Sequence, residues 1–296
     1  MKIIKNILIT LFLIAIPLTV YYFRADILKF IKQEKLNNLT ITITNNSYAR
    51  NYNYHYVSLT DDFISKSKEQ TINIIYTIIN SGIDEFTFYC DTSYSKCVDD
   101  FKDILDDNNI ISNINNFVHP YNSFSLLTSS IKDDEITILP VKKYSDDDII
   151  SLNNKIDEII SSNINNNMST KTKIEIIHDY IINNSKYVND SNTKNGKATD
   201  ILLRGVGICS SYTDAMALFL NRFGINNYKI ASTNHIWNLV YINNEWLHLD
   251  LTFDDPVTTD GSNMLLKDMF LINTLKLESI NDKEHNFDYN VYFEAK

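Results

Sequence analysis

The chain has 296 residues, of which 44% are hydrophobic and 22% are charged, a balance typical of folded globular proteins. Its formal net charge is −10 and no basic stripe is visible, so it is not expected to bind nucleic acid, which requires clustered lysine and arginine side chains. Only six glycines and four prolines are present, which argues against long flexible linkers.

An apolar run over residues 7–23 follows two lysines near the N-terminus. A helix of about 20 apolar residues spans a bilayer, so the run predicts a single-pass transmembrane helix. Aromatic side chains at its end suit a membrane interface, and no small-residue cleavage site follows, which favours an uncleaved signal anchor. We therefore predict that residues 1–36 form a membrane anchor and a stalk.

Two orientations of this anchor are open. Basic residues are more numerous after the run than before it, and a positive-inside count would place the body of the protein in the cytoplasm. A single N-terminal anchor with a short charged segment is nevertheless the usual arrangement for export. Cys90 and Cys97 are close enough in sequence to form a disulfide in an oxidising space, although three reduced cysteines in a cytosolic protein are the alternative. We expect the body to be extracytoplasmic.

The next part of the chain, residues 37–165, predicts a smaller α/β domain of unknown role. Alternating or buried apolar patterns predict strands, and apolar residues at helical spacing predict helices. The predicted strands are residues 39–44, 84–90, 121–130 and 135–144, and the predicted helices are residues 63–80, 98–105 and 145–160. No catalytic motif occurs here, and His55 and His119 are expected to be structural. A polar stretch at residues 161–170 marks the boundary with a C-terminal domain, residues 166–296.

The C-terminal domain contains a candidate nucleophile. Cys209 follows a turn that contains Gly205 and Gly207, and a predicted apolar helix starts at residue 210 or 211. Free backbone N–H groups and the helix dipole stabilise negative charge at such a position. Cys209 therefore suits a nucleophilic thiolate, while a small buried side chain at the start of a core helix is the alternative interpretation.

Three strands are predicted after the Cys209 helix, over residues 228–231, 234–242 and 245–251. Asn243 and Asn244 fit a two-residue hairpin turn, because asparagine tolerates positive φ. In the resulting register His235 and Asp250 are diagonal neighbours on one face of the sheet, with backbones about 7–8 Å apart and side chains able to meet. Asp250 would orient the ring of His235, whose other nitrogen would face Cys209.

Two further histidines lie near these elements. His178 is beside the apolar face of a predicted helix at residues 174–184, and we expect it to be a core residue with satisfied hydrogen bonds. His248 shares a sheet face with His235 but pairs with Leu239 in the predicted register. We interpret His248 as a packing or surface residue and as the next candidate for the base.

The strings G-V-G-I-C-S-S-Y, H-I-W-N and W-L-H-L-D-L-T-F-D-D-P occur in this order. Together they resemble the transglutaminase-like superfamily, over less than a third of the chain. The resemblance implies an α+β, papain-like C-terminal domain in which the helix that carries the cysteine packs on an antiparallel sheet, with a catalytic triad of Cys209, His235 and Asp250. Ile236 and Phe253 stand where alanine and tryptophan, respectively, are commoner in that superfamily, and neither departure changes a triad residue.

Three further residues are expected to support this triad: Tyr187, Trp237 and Asn238. Enzymes of this type bind the developing oxyanion with the backbone N–H of the nucleophile and a second donor, for which Tyr187 is the candidate, although a core aromatic is its simpler role. Asp254 and Asp255 precede a proline and are interpreted as a polar turn rather than a metal site. No metal and no cofactor are expected.

The resemblance implies thiol-dependent acyl transfer or hydrolysis at an amide bond, by a transglutaminase-like acyltransferase or a cysteine peptidase. Protein cross-linking, deamidation of glutamine and peptidase activity remain open, because they differ in the acceptor that reaches the thioester. The expected partners are a protein or peptide substrate with an accessible amide and, through the anchor, a membrane, as in a membrane-anchored bacterial member. A membrane-anchored, non-catalytic binding or scaffold module is the alternative, and a cell-wall peptidase of another papain-like family is a third hypothesis.

Overall fold

The computed structural model describes residues 2–190, 196–258 and 264–296, with side chains from residue 12 onward. The helices are α1 (Lys2–Tyr22), α2 (Arg24–Asn37), α3 (Lys68–Asn80), α4 (Cys97–Asp106), α5 (Asn108–Asn116), α6 (Asp146–Asn163), α7 (Thr170–Asn183), α8 (Ala198–Arg204), α9 (Cys209–Arg222) and α10 (Thr274–Ile280). The strands are β1 (Ile64–Ser65), β2 (Phe86–Cys90), β3 (Phe124–Lys132), β4 (Glu135–Lys142), β5 (Lys186–Tyr187), β6 (Val206–Gly207), β7 (Asn227–Ala231), β8 (Ile236–Ile242) and β9 (Glu245–Leu249). Short 3₁₀ turns occupy Pro120–Asn122 and Phe293–Ala295.

The N-terminal segment is helical in both α1 and α2. Within the described ranges, no helix combines the length and the apolar character that crossing a membrane requires. The side chains of residues 7–11, with which the predicted anchor begins, lie outside the described residues, and the anchor stays a prediction. The predicted stalk contacts the body of the protein, since Gln33 of α2 donates to Asp91 at 3.1 Å and accepts from the Thr92 hydroxyl at 2.6 Å.

The first sheet has the strand order β1-β2-β4-β3, with β1 parallel to β2 and the other neighbours antiparallel. Three of the predicted strands are present here with shifted ends, as β2, β3 and β4. The strand predicted at residues 39–44 is wrong, because this segment has no regular structure. Alternating threonine and isoleucine suit a strand, but a strand also needs a neighbour for its backbone hydrogen bonds, and residues 39–44 join none of the described sheets.

The helices of this half differ from the predictions mainly at their starts. The helix predicted from residue 63 begins at Lys68, because Ser67 caps it by accepting the N–H of Gln70 and because β1 pairs with β2 instead. Helix α5 was not predicted, since its sequence is rich in asparagine, which has low helix propensity. Helix α6 begins as predicted after Ser145, which forms a capping box with Asp148.

A disulfide joins Cys90 and Cys97. It connects the end of β2 to the first residue of α4, with the two Cα atoms 5.8 Å apart, and both side chains are buried. Of the three cysteines in the chain, Cys209 is therefore the one that remains a free thiol.

The second sheet has the antiparallel order β7-β8-β9 and contains the predicted hairpin. Asn243 and Asn244 both have positive φ, 54° and 65°, as a two-residue turn that follows the twist of the strands requires. Leu239 pairs with His248, which confirms the predicted register.

The two faces of the second sheet pack into different hydrophobic cores. Trp237 and Leu239 join a core that includes the first sheet and α3, α4 and α5. Val240 and Leu249 join a second core with α6, α7, α8 and α9. Each core draws on residues from both sides of the predicted boundary at residue 165, and the predicted domain limits stay a prediction.

The turn before Cys209 depends on two glycines. Gly205 ends α8, a helix that was not predicted, in the left-handed conformation with φ of 70°. A Cβ atom on Gly207 would lie 2.7 Å from the Cβ of Ser211, closer than real Cβ atoms approach. The close backbone approach predicted for this turn is therefore present, and it brings β6 against the first turn of α9.

Candidate active site

Cys209 is the first residue of α9, and its thiol is half-buried. Ile208 before it is extended, with φ of −112° and ψ of 177°, so the chain turns into the helix at the sulfur-bearing residue. The hydroxyl of Thr213, one turn later, lies 2.8 Å from the carbonyl oxygen of Cys209 and 2.9 Å from that of Ile236. This contact binds the first turn of α9 to the start of β8.

His235 stands immediately before β8, and its side chain is almost fully buried. Its Nε2 atom lies 2.5 Å from Oδ2 of Asp250. Burial opposes protonation of the ring, but the hydrogen bond to Asp250 and the interaction with the Cys209 side chain raise the pKa of His235 to about 10. Because Nε2 binds the carboxylate, Nδ1 is the ring nitrogen left for Cys209.

Asp250 follows the last residue of β9 and is buried, with every carboxylate oxygen hydrogen-bonded. Oδ1 accepts the backbone N–H groups of Thr252 at 2.9 Å and Phe253 at 3.3 Å. Oδ2 accepts from His235 and from a second ring, that of His285, at 2.9 Å. Burial opposes the charge, but the hydrogen bonds from the two histidines lower the pKa of Asp250 to about 2.

His285 was not predicted to belong to the site. It lies 35 residues after Asp250, in an irregular segment between α10 and the last 3₁₀ turn. No periodicity or motif marks this segment, so the sequence contains no signal that would have assigned His285 to the site.

Two of the predicted supporting residues, Trp237 and Asn238, lie on β8, which begins directly after His235. The Trp237 ring stacks on the His235 ring with centroids 5.6 Å apart and planes at 14°. The Trp237 indole N–H donates to Nδ1 of His248 at 3.0 Å. Asn238 donates to the backbone carbonyl of Thr213 at 3.1 Å, so it holds β8 against α9.

Tyr187, the third predicted supporting residue, lies in β5 and pairs with Gly207 of β6. This parallel pairing places it beside the turn that leads to Cys209. Partial burial is the first reason that the pKa of Tyr187 is raised, and the charge of Cys209 and that of Glu284 are the next. Tyr187 is therefore close enough to Cys209 to interact with its charge.

Three other histidines singled out from the sequence lie outside this cluster or contact it indirectly. His178 is fully buried, as expected, with Nε2 3.1 Å from Oδ2 of Asp254. His248 is buried rather than at the surface, and burial lowers its pKa to about 3. His119 is also buried with its pKa lowered to about 3, first by burial and then by Arg50, and its Nδ1 accepts the N–H of Tyr121.

Among the described residues, one group of side chains could together offer ligands to a metal ion: His235, Asp250 and His285. In the structure the ligand atoms of this group are hydrogen-bonded to one another. Asp254 and Asp255 lie in the turn after β9, where the sequence analysis weighed a polar turn against a metal site. Both bind protein groups: Asp254 binds His178, and Asp255 accepts from the Tyr212 hydroxyl of α9. Both acidic residues therefore fasten the turn after β9 to helices.

Residues 158–251 match the family model of the transglutaminase-like superfamily. This part of the chain is thus similar to the transglutaminase-like superfamily, and it lies within a mixed helix-and-sheet fold. The match includes Cys209, His235 and Asp250, and ends just after the last of them.

No curated protein matches the sequence. Among solved structures, one described as a TGase is similar with 16% identity and a TM-score of 0.34, over 44% of this chain and 45% of that chain. Another, a candidate cysteine protease from Cytophaga hutchinsonii, is similar with 14% identity and a TM-score of 0.30, over 47% of this chain and 65% of that chain. The chain thus matches less than two thirds of either protein.

Proposed function

We propose that this protein is a thiol-dependent enzyme that cleaves or transfers an amide-derived acyl group through Cys209, His235 and Asp250. The observation that carries the proposal is the position of the His235 ring, which binds Asp250 at 2.5 Å through Nε2 and interacts with the Cys209 side chain. A sulfur, an imidazole and a carboxylate in this order are the groups that nucleophilic catalysis by cysteine requires.

The first step would be formation of the thiolate. With a pKa of about 10, the His235 ring is protonated at neutral pH when it lies beside the thiolate of Cys209. Asp250 stabilises this imidazolium from the other side and selects the ring orientation in which Nδ1 faces the sulfur. The start of α9 adds the favourable field of a helix N-terminus to the negative sulfur.

In the acylation step the Cys209 sulfur forms a bond to the amide carbon, and the carbonyl electron pair moves to the oxygen. The backbone N–H of Cys209 is one donor to this oxyanion, and the Tyr187 hydroxyl is the candidate for the second. When the tetrahedral intermediate collapses, the carbon–nitrogen bond breaks and the amine departs with the proton of His235. A thioester on Cys209 and a neutral His235 remain.

The acceptor in the second step decides the reaction. Neutral His235 removes a proton from the acceptor, which attacks the thioester and releases Cys209. Water as the acceptor gives hydrolysis of a peptide bond or deamidation of glutamine, whereas a lysine amine gives a cross-link. We propose amide chemistry on a protein or peptide substrate, in which the acceptor selects among these three outcomes.

The reactivity of Cys209 provides the test. Because the other two cysteines form a disulfide, alkylation by iodoacetamide without reductant reports on Cys209. We expect the intact protein to react at neutral pH much faster than free cysteine, which is only a few per cent thiolate there. Cys209→Ala should abolish labelling and His235→Gln should slow it strongly.

His178→Gln is the matched control, because His178 is also a buried histidine bonded to an aspartate but lies outside the site. It should keep the wild-type labelling rate. Activity is then measured on a glutamine peptide with and without an amine. Wild-type labelling no faster than that of free cysteine, together with no Cys209-dependent turnover, would refute the proposed function.

We also propose that the body of the protein acts outside the cytoplasm, at a membrane. The Cys90–Cys97 disulfide supports this location, because disulfides persist in oxidising compartments. An impermeant amine-reactive label applied to intact cells should modify the protein. A protein that is modified only after the cells are lysed would contradict this location.

A further inference from the structure

His285 is buried next to the candidate triad. Its side chain is buried among three rings, with centroid distances of 4.5 Å to Phe253, 4.8 Å to Trp237 and 5.3 Å to His235. All three contacts are edge-on or nearly so, and together they define the plane of the imidazole. The ring is therefore held by packing as well as by hydrogen bonds.

The two nitrogens of His285 bind different carboxylates. Nε2 lies 2.9 Å from Oδ2 of Asp250, the same oxygen that binds His235 at 2.5 Å. Nδ1 lies 2.9 Å from both carboxylate oxygens of Asp282. A continuous series of contacts thus runs from Cys209 through His235, Asp250 and His285 to Asp282.

Asp282 is in turn fixed by its own segment. Its Oδ1 atom accepts the backbone N–H groups of Glu284 and His285, each at 2.9 Å. The turn therefore orients Asp282, Asp282 orients the His285 ring, and the ring presents Nε2 to Asp250. Partners arranged in this way around a functional histidine or carboxylate fix its geometry.

We propose that His285, backed by Asp282, is a positioning residue that holds the Oδ2 atom of Asp250 in line with His235. This inference rests on the proposed function. The Oδ1 atom of Asp250 is fixed by two backbone N–H groups, whereas the partners of Oδ2 within the described ranges of the chain are the two histidines. Without His285 the buried Oδ2 atom loses one of its two hydrogen-bond donors. The hydrogen bond from His235 alone then orients this oxygen.

The groups that face Asp250 come from several elements. His235 precedes β8 and interacts with Cys209 of α9. His248 lies on β9. His285 and Asp282 belong to the C-terminal segment. The hydrogen bond from His285 is among the contacts that lower the pKa of Asp250, so its removal raises that pKa. Loss of thiolate reactivity on acidification should then begin at a higher pH than in the wild type.

A cavity beyond His285 makes a chemical rescue possible. It has a volume of about 420 Å³ and is lined by His285 itself together with Asp282, Asn281, Glu278 and Tyr289 among others. Truncation of His285 to alanine leaves an imidazole-shaped space that opens to this cavity. Added imidazole can therefore reach Asp250 in the truncated variant.

The experiment measures the alkylation rate of Cys209 from acidic to neutral pH in four variants: His285→Ala, His285→Gln, Asp282→Asn and His178→Gln. We expect His285→Ala to react about tenfold to a hundredfold more slowly at neutral pH, the size of effect known for loss of the hydrogen-bond partner behind a metal-ligating side chain. The fall in rate on the acidic side of its pH profile, the acidic limb, should begin at higher pH. Added imidazole should restore both the rate at neutral pH and the position of the acidic limb. His285→Gln keeps an N–H donor toward Asp250 and should retain most of the rate, and Asp282→Asn should lie between these two.

His178→Gln controls for the general loss of a buried histidine and should leave the profile unchanged. A folded His285→Ala protein with the wild-type rate and pH profile would overturn the positioning role and leave the proposed function standing. If His285→Ala does not fold, His285→Gln and Asp282→Asn decide the positioning role, and an Asp282→Asn protein whose acidic limb does not shift would overturn it. An inert wild-type Cys209 would instead overturn the proposed function, and the role of His285 with it.

Discussion

The Nε2 atom of His178 lies 3.1 Å from Oδ2 of Asp254, and both side chains are completely buried. His178 belongs to α7, whereas Asp254 is in the turn that follows Asp250. Asp254 also accepts the backbone N–H of Met269 at 3.0 Å. The Asp254 turn is thus fastened to a helix and to a later segment by contacts separate from the hydrogen bonds that hold the carboxylate of Asp250.

Tyr187→Phe tests the second oxyanion donor. Loss of the hydroxyl should lower kcat by roughly tenfold to a thousandfold and leave KM nearly unchanged, because the oxyanion exists only after attack. Tyr241→Phe, on β8 and with its ring packed on Trp246, is the control and should keep the wild-type kcat. An unchanged kcat in Tyr187→Phe would leave Tyr187 a packing residue.

The stability of the fold should be greatest near pH 6.5. The pKa of His235 is raised from 6.5 to about 10, so its contribution is complete below pH 6.5 and is lost as the pH rises toward 10. The pKa values of His119 and His248 are lowered from 6.5 to about 3, so their contributions are complete above pH 6.5 and are lost as the pH falls toward 3.

Urea unfolding at a series of pH values measures this maximum. His235→Gln should flatten the alkaline side of the curve, and His119→Gln should make the acidic side less steep. A His235→Gln curve that falls as steeply above pH 6.5 as the wild type would contradict the assignment of that side to His235.

Removal of the disulfide should lower stability without altering the site. Cys90 and Cys97 are seven residues apart, and closing so short a loop stabilises the folded chain by about 2.5 kcal/mol in the chain-entropy description. The double variant Cys90→Ala, Cys97→Ala should lose about this free energy of unfolding and keep the alkylation rate of Cys209. A large loss of that rate would show that the first sheet and α4 also influence the site.

Asp214 is the buried charge that fastens the helix of Cys209 to its surroundings. Its carboxylate binds Lys143 at 2.8 Å, the Tyr144 hydroxyl at 2.8 Å and Lys229 at 3.0 Å. Burial opposes its charge, but the two lysines hold the pKa of Asp214 well below its usual range. Asp214→Ala leaves the buried Lys229 unpaired and should cost about 3–5 kcal/mol of unfolding free energy.

Asp157→Ala is the control for this variant, because Asp157 pairs with Arg222 at the exposed surface. It should change the free energy of unfolding by less than about 1 kcal/mol. The double variant Asp214→Leu, Lys229→Met should be more stable than Asp214→Ala, since it removes the buried unpaired charge. Equal stability of the single and double variants would contradict that explanation.

The sequence predicted most of the elements whose formation depends on residues that are close to one another in the chain. The hairpin at Asn243 and Asn244, with Leu239 opposite His248, follows from the turn residues and the alternation of the strands. The start of the helix at Cys209 follows from the glycine turn and the apolar periodicity after it. The prediction failed for residues 39–44, where propensity alone suggested a strand, but the segment pairs with no described strand. It also failed for the asparagine-rich α5, where burial of Ile114 and partial burial of Ile110 and Ile111 outweigh propensity.

By itself the sequence determined that Cys209 stands at a helix start and that His235 and Asp250 lie across one hairpin, because turn chemistry and strand alternation act over a few residues. Tertiary structure alone decided that His285 shares the Asp250 oxygen with His235, and that the second sheet separates two cores. Contacts across 35 residues through irregular chain depend on how the packed elements bring distant segments together, and no local pattern records them.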